Sequence, residues 1–359
     1  MFQSKIERSK SYFYNMRRYH NAVKRDLYNK YTLNISKLLD LACGKGGDLD
    51  KWISNNIKDV IGYDIDEKSI MEAKRRIKER EDEKGTKVNV YVKDLSKDII
   101  EGNKDCDVIT SMFAFHYFFK SLDTFNVIMK SIDNNLKIGG YFIGTIFDGE
   151  SVRNALKKGD YILEDSKSKD VKFMIKSYGV ESQQNDLFGN RINVYLKDTV
   201  LDVPMDEYIV DFDKFVDVMK MHGYELIETK MFNELNLDGK NRLNDIELSV
   251  SNLNRFFVFK RNDHIINSAC KKESEYLMEC EWSQDVNEIK RQKYISKYKK
   301  ALNNKIKNPN ISNKLKMDYI YLRDHFDKYD EILNNNAVDN KVRNYYKKIY
   351  DMFLKEFQN

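Results

Sequence analysis

The feature that most constrains the fold is the join between a short apolar run and a cluster of glycines, Leu39-Asp-Leu-Ala-Cys-Gly-Lys-Gly-Gly-Asp48. A run this short and this apolar reads as a strand, Lys37 to Ala42, buried on both faces. Glycines directly after it let the chain turn tightly and bring backbone N–H groups close to a ligand. The same rhythm then repeats. Asp59-Val-Ile-Gly-Tyr-Asp-Ile65 reads as a second strand, and Glu67 to Lys84 as a charged helix with Ile70, Ala73 and Ile77 on one face. Lys87 to Asp94 alternates as a strand does, Cys106 to Met112 is a fourth strand, and Tyr141 to Ile146 a fifth after a Gly139-Gly140 turn. Strands separated by helices argue for an α/β class with a parallel sheet. Tyr224–Phe232 and Arg255–Lys260 supply two late strands, and the stretch of about 160–208 breaks the rhythm as a β-rich insertion over the sheet ends.

The chain has 359 residues, enough for about two domains. Residues 1–262 carry the alternating pattern. Residues 263–359 hold 19 Lys+Arg against 15 Asp+Glu, with apolar side chains such as Ile295, Tyr298 and Leu302 at helical spacing. They read as a basic helical C-terminal extension. Within it, Lys290 to Lys316 has 10 basic residues and no acidic one, which suits RNA phosphates or, as the favoured reading, a solvated helix face or a docking surface for another protein. Aromatics at 13% exclude a chain disordered throughout. No apolar run approaches the roughly 20 residues of a membrane span, so no membrane role is expected. Met1–Lys10 is charged and lacks an apolar core, so no signal peptide is expected. The 4 Cys show neither disulfide nor metal spacing, so an intracellular, reducing setting is expected, with no metal site. Abundant Lys, Asn, Ile and Tyr suggest an AT-rich genome.

The chemistry gathers at strand ends. The glycine turn misses the GxGxxG dinucleotide fingerprint, because Ala42 stands at its first position, and it is not a Walker A loop. Asp64 ends the second strand, 20 residues after Gly44, where an acceptor-only carboxylate suits the two hydroxyls of a ribose. Asp94 ends the third, placed for an adenine amino group. A nucleoside lying across three successive strand ends favours S-adenosylmethionine, with NAD as the competitor. Ser111-Met-Phe-Ala-Phe-His-Tyr-Phe-Phe119 ends the fourth strand. Phe118 and Phe119 read as core, but His116 and Tyr117 fall where sites in open α/β sheets collect.

Six ordered motifs between Arg8 and about Lys260 resemble the mRNA cap guanine-N7 methyltransferases of eukaryotes and large DNA viruses. They are Met16-Arg-Arg-Tyr-His-Asn-Ala-Val-Lys24, Asp40 to Asp48 with its Lys-Gly-Gly-Asp, and Phe113-Ala-Phe-His-Tyr117. Gly139-Gly-Tyr-Phe-Ile-Gly-Thr145, Pro204-Met-Asp-Glu-Tyr-Ile-Val210 and Asn254-Arg-Phe-Phe-Val-Phe-Lys260 complete the set.

The resemblance implies a Rossmann-like, seven-stranded class I methyltransferase sheet and S-adenosylmethionine as cofactor. It implies that Lys24 pairs with the donor carboxylate and that Ala42 meets the donor through its backbone. Asp48 lies at the methionine end, Asp64 at the ribose, and Asp94 at the adenine with Met112 and Tyr117. For the cap it implies His20 and Asn21 at the nucleotide, Lys45 and Arg76 at the triphosphate, and His116 and Glu207 at the guanine, with Asn254 closing the pocket. The partner implied is 5′-capped RNA, and the extension is expected to meet other capping or transcription proteins.

Guanine N7 has a lone pair and no proton, so attack on the methyl group needs no general base. Glu207, His116 and Tyr117 would act by fixing and stabilising the base, and catalysis would be in-line alignment. Three positions depart from the family. Gly is usual at Ala42, whose backbone contact is expected to survive if Ala keeps a negative φ; Gln is frequent at Met112; and Tyr is common at Asn254, with another aromatic near Ile192. Two other readings stay open: a class I methyltransferase for another substrate, and a silent methyltransferase-like subunit that stimulates a capping enzyme. A Lys-x-Asp-Gly nucleotidyl-transfer motif is absent. A viral origin is favoured, with the host cytoplasm or the virion as its setting; a cellular protein would act in the nucleus.

Overall fold

The computed structural model describes residues 11–80, 85–178, 187–199 and 203–262, together with Lys307. Contacts divide the chain into Met1–Ile265 and Ile266–Asn359. The expected helical extension therefore lies outside the described residues, Lys307 apart.

Helix α1, Tyr14–Tyr31, leads into β1, Lys37–Leu41. The glycine turn and α2, Leu49–Ser54, follow, then β2, Asp59–Asp64, and α3, Glu67–Lys78. Next come β3, Lys87–Val92, β4, Cys106–Met112, a 3-10 segment Phe115–Lys120, α4, Leu122–Asn135, and β5, Leu136–Phe147. Helix α5, Gly149–Leu156, precedes four strands: β6, Tyr161–Glu164; β7, Val171–Ser177; β8, Arg191–Leu196; and β9, Met205–Tyr208. Helix α6, Phe212–Met221, β10, Tyr224–Met231, α7, Asp245–Ser251, and β11, Asn254–Arg261, close the fold.

Seven strands form one sheet in the order β10-β11-β5-β4-β1-β2-β3. The five from β3 to β5 are parallel, and β11 runs antiparallel between β5 and β10. This is the seven-stranded α/β sheet that the strand–helix rhythm and the resemblance imply. The chain winds one way through β1, β2 and β3, then returns to place β4 on the other side of β1. That reversal opens a crevice at the carboxyl ends of β1 and β4, the usual ligand position in such a sheet. Leu38, Leu39 and Leu41 are wholly buried because helices cover both faces.

The insertion is a separate antiparallel sheet, β6-β7-β8-β9, spanning the 160–208 stretch. Phe173, Ile175, Ile192 and Val194 form its buried face against Phe13, Met16 and Val250. Two boundaries differ from expectation by more than two residues. Helix α3 ends at Lys78, with Arg75, Arg76 and Lys78 in its last turn, where cations suit the negative helix end; residues 81–84 lie outside the described set. Gly139 and Gly140 do not precede β5 but lie within it. The register with β4 slips between Cys106 and Val108, and Gly139 takes φ +77° there, so the pair makes a bulge rather than a turn.

Candidate active site

The glycine turn is built on left-handed backbone. Ala42, Gly44 and Gly46 have φ of 64°, 53° and 66°. The condition of a negative φ at Ala42 is therefore not met: alanine occupies the conformation for which glycine is the usual choice, at a cost of roughly 1–2 kcal/mol. Ala42→Gly is expected to stabilise the protein by about 1 kcal/mol or less once glycine's greater unfolded-state entropy is set against it, a rise of a few degrees in Tm at most. A thermal melt of the two proteins checks this. A Cβ on Gly44 would meet nothing within 4 Å, so the turn faces open space that a ligand can enter.

Around the turn stand the carboxylates named from sequence. Asp64 Oδ2 accepts from Gly44 N at 2.8 Å and Oδ1 from Asp66 N at 2.9 Å, which leaves lone pairs on both oxygens for ribose hydroxyls. Asp94 accepts from Ser96 Oγ at 2.6 Å and Lys97 Nζ at 2.9 Å. Asp48 is buried, and a single oxygen of it lies 2.7 Å from both Lys24 Nζ and Lys51 Nζ. Burial alone would raise its pKa, but the two ammonium groups outweigh that and hold it below the usual range. Met112 ends β4, half-buried against the core around β1.

Beside this set lies a cavity of about 330 Å³ lined by side chains from widely separated parts of the chain. His20, Asn21 and Lys24 come from one face of α1, His116 and Tyr117 from the 3-10 segment, Glu207 from β9, and Asn254 from the start of β11. All seven were named from sequence. Glu207 and His116 are each 3% exposed, with His116 Nε2 3.3 Å from Glu207 Oε2, and Tyr117 donates to Glu207 Oε1 at 3.3 Å. Neither His116 nitrogen nor Glu207 Oε2 completes a hydrogen bond among the described residues. Buried polar atoms left in that state mark a place for an outside partner. Burial, reinforced by the Glu207 charge, pushes the Tyr117 hydroxyl pKa up, so Tyr117 acts as a neutral donor.

Sequence reasoning missed the walls of this cavity. Phe113 stacks on His20, with centroids 5.2 Å apart and planes at 16°, and Phe147 lies parallel to His116 at 6.2 Å. Phe113 holds φ 59°, a strained setting for an aromatic residue, fixed by its N–H donating to Thr145 O at 3.0 Å. Ile192 itself is 1% exposed in the insertion core with Phe13 and Phe173, and it does not line the cavity. Phe147 pairs in register with Asn254 and supplies a ring there instead. Asn254 reaches the cavity, but its amide donates to Val250 O at 2.9 Å and Ser251 O at 3.2 Å. Lys45 and Arg76 do not line the cavity. Arg76 Nε donates to Glu72 Oε1 at 2.8 Å on the same helix, where Arg75 also binds.

Burial, aided by the neighbouring Lys24 charge, lowers the His20 pKa to about 3. The unfolded chain then binds the extra proton between pH 6.5 and 3, so His20 costs stability as pH falls through that window, at up to about 1.4 kcal/mol per unit. The stability of His20→Gln relative to wild type should therefore grow as pH drops from 6.5 to 4, as urea titrations at several pH values would show.

Among the described residues no cluster of His, Cys, Asp or Glu could hold a metal ion, and no helix is long and apolar enough to cross a membrane.

The family described as the mRNA (guanine-N(7))-methyltransferase domain matches residues 2–317. Three relatives share the name mRNA cap guanine-N(7) methyltransferase. That of Eremothecium gossypii is 32% identical over 235 residues, 61% of this chain and 53% of its own length. That of Saccharomyces cerevisiae is 29% identical over 247 residues, 64% and 55%. That of Schizosaccharomyces pombe is 30% identical over 236 residues, 63% and 64%. The chain spans about half the length of the first of these curated relatives. With residues 2–317 matched and a seven-stranded α/β sheet that carries a cavity at its switch point, the chain belongs to the mRNA (guanine-N(7))-methyltransferase domain family.

Proposed function

We propose that the chain transfers the methyl group of S-adenosylmethionine to N7 of the 5′-cap guanine of RNA. The observation that carries this reading is the buried Glu207–His116–Tyr117 group, with unbonded polar atoms between two aromatic walls, beside the nucleoside-sized set at the ends of β1, β2 and β3. The residues fit the donor: an open left-handed turn, an acceptor-only Asp64, and Lys24 as a cation for a carboxylate. When bound, S-adenosylmethionine supplies an electrophilic methyl group. Glu207 accepts from guanine N1–H and the 2-amino group, and its charge stabilises the cation formed as N7 is alkylated. His116 and Tyr117 hold Glu207, while Phe113 and Phe147 offer faces to the cationic base. No residue need take a proton from N7, so alignment is the main contribution of the chain.

Lys45 and Arg76, outside the cavity, serve the triphosphate in this reading only if the RNA runs outward over α3. Docking of other capping or transcription proteins on 263–359 rests on its basic stretch alone. The activity belongs where capped transcripts are made: the nucleus, or for a virus the host cytoplasm or the virion. Calorimetry tests the reading. Wild type should bind S-adenosylmethionine, Asp64→Ala should not, and GpppA should bind where ApppA fails. Binding of neither donor nor GpppA would leave the silent-subunit reading in its place.

A further inference from the structure

Helix α1 carries His20 and Asn21 into the cavity, yet it starts without a cap of its own. Phe13 at its N-cap offers no side-chain acceptor, and its first turn holds no acidic residue. Arg17 N donates to Phe13 O at 3.0 Å, the first bond of the helix. Met16 N, one position earlier, has no acceptor within the helix. It donates instead to Glu247 Oε1 at 2.9 Å, from a residue 231 positions away. The other oxygen, Oε2, accepts from Asn244 N at 3.1 Å and completes the capping box of α7. One carboxylate, 0% exposed, therefore caps two helices, and its position suits the positive ends of both.

A second rung lies one turn further on. Ser251 Oγ stands 3.1 Å from His20 Nε2. Met16 and His20 lie four apart on α1, as Glu247 and Ser251 do on α7. Residues at that spacing share a helix face, so the two helices meet at matching steps. Two rungs a turn apart fix where α1 sits along its axis and how it is rotated about it. Stacking on Phe113 sets the tilt of the His20 ring but lets it slide, and Ser251 Oγ removes that slide. Helix α7 is itself tied to the cavity, because Asn254 closes its last turn through Val250 O and Ser251 O. Neither Glu247 nor Ser251 lines the cavity. Lys24, further along α1, has a separate anchor in Asp48 at 2.7 Å.

We propose that Glu247 and Ser251 are positioning residues for the cap. They hold α1 in the register that sets His20 and Asn21 against the guanine nucleotide, and they leave the donor end of α1 to Asp48. The inference rests on the reading of the cavity as the cap site.

The test is calorimetric titration of GpppA, and separately of S-adenosylmethionine, into wild type, Ser251→Ala, Glu247→Gln, His20→Phe and the Ser251→Ala/His20→Phe double variant. Ser251→Ala should weaken GpppA binding about fivefold, the usual worth of one hydrogen bond. Glu247→Gln, whose amide has one oxygen to serve two helices, should lose at least as much. Donor affinity should be unchanged in both. Phenylalanine keeps the ring at position 20 but offers Ser251 no nitrogen. Because Ser251 acts through His20, its loss should then cost nothing further in the double variant. Unchanged GpppA affinity in either single variant, additive losses in the double variant, or equal losses of donor and GpppA would overturn the proposal. Should Glu247→Gln fail to fold, Ser251→Ala, which removes one hydroxyl, and the double variant decide alone. Wild type that binds S-adenosylmethionine but not GpppA would sink the cap reading itself, and this inference with it.

Discussion

Replacing Glu207 by glutamine should lower kcat/KM for methyl transfer to capped RNA by about 10²–10³-fold, the usual cost of removing one preorganised electrostatic contact to a transition state. The carboxylate is 3% exposed; the hydroxyl of Tyr117 donates to it and the ring of His116 lies 3.3 Å away. Glutamine keeps the shape and can still accept from Tyr117. It presents an N–H₂ where guanine also presents donors, and it loses the negative charge that meets the developing cation. Most of the loss should fall on kcat, because the charge on the base appears only as the methyl group arrives. Donor affinity should be unchanged, since Asp64 and the glycine turn do not line the cavity that holds Glu207. Steady-state kinetics with capped RNA, beside a donor titration, separates the two. Activity within a factor of a few of wild type would mean that the guanine is not held at Glu207.

Asp48→Ala should be the most damaging single change to stability, at about 3–5 kcal/mol, because it strands buried cations. Lys51 is 3% exposed at its side chain and Lys24 13%, and both reach the same Asp48 oxygen. Removing the carboxylate leaves two ammonium groups side by side with little water to solvate them. Adding Lys51→Met should recover part of the loss, since it removes a charge and supplies apolar volume. Asp48's pKa lies below its unfolded value, so its contribution is present above about pH 4 and is lost as pH falls through the folded value. Urea denaturation of the single and double variants at pH 7, repeated near pH 3, checks both the size and the pH sense.

Which parts were legible in the sequence follows from how local each signal is. The turn after β1, the carboxylates at strand ends and the His-Tyr pair sit in short segments whose chemistry is written in adjacent residues. The insertion showed itself by interrupting the strand–helix rhythm. Phe113 and Phe147 were not legible as walls, since a phenylalanine in an apolar run reads as core. Phe147 meets the cavity only because β5 pairs with β11 in the register that sets it opposite Asn254. The backbone of Ala42 was not legible, because residue identity leaves its φ open, whereas the turn geometry dictates +64°. Arg76 read as a phosphate ligand, yet Glu72 four residues earlier on α3 holds it, an i,i+4 pair visible in the sequence.

The most direct test supplies S-adenosylmethionine labelled on its methyl group together with GpppA-capped RNA, then digests the product and locates the label. Label on N7 of the cap guanine, absent when the RNA is uncapped and absent with Asp64→Ala, is the expected result. Label on another atom or another nucleotide, or none from a protein that binds both donor and GpppA, would contradict it.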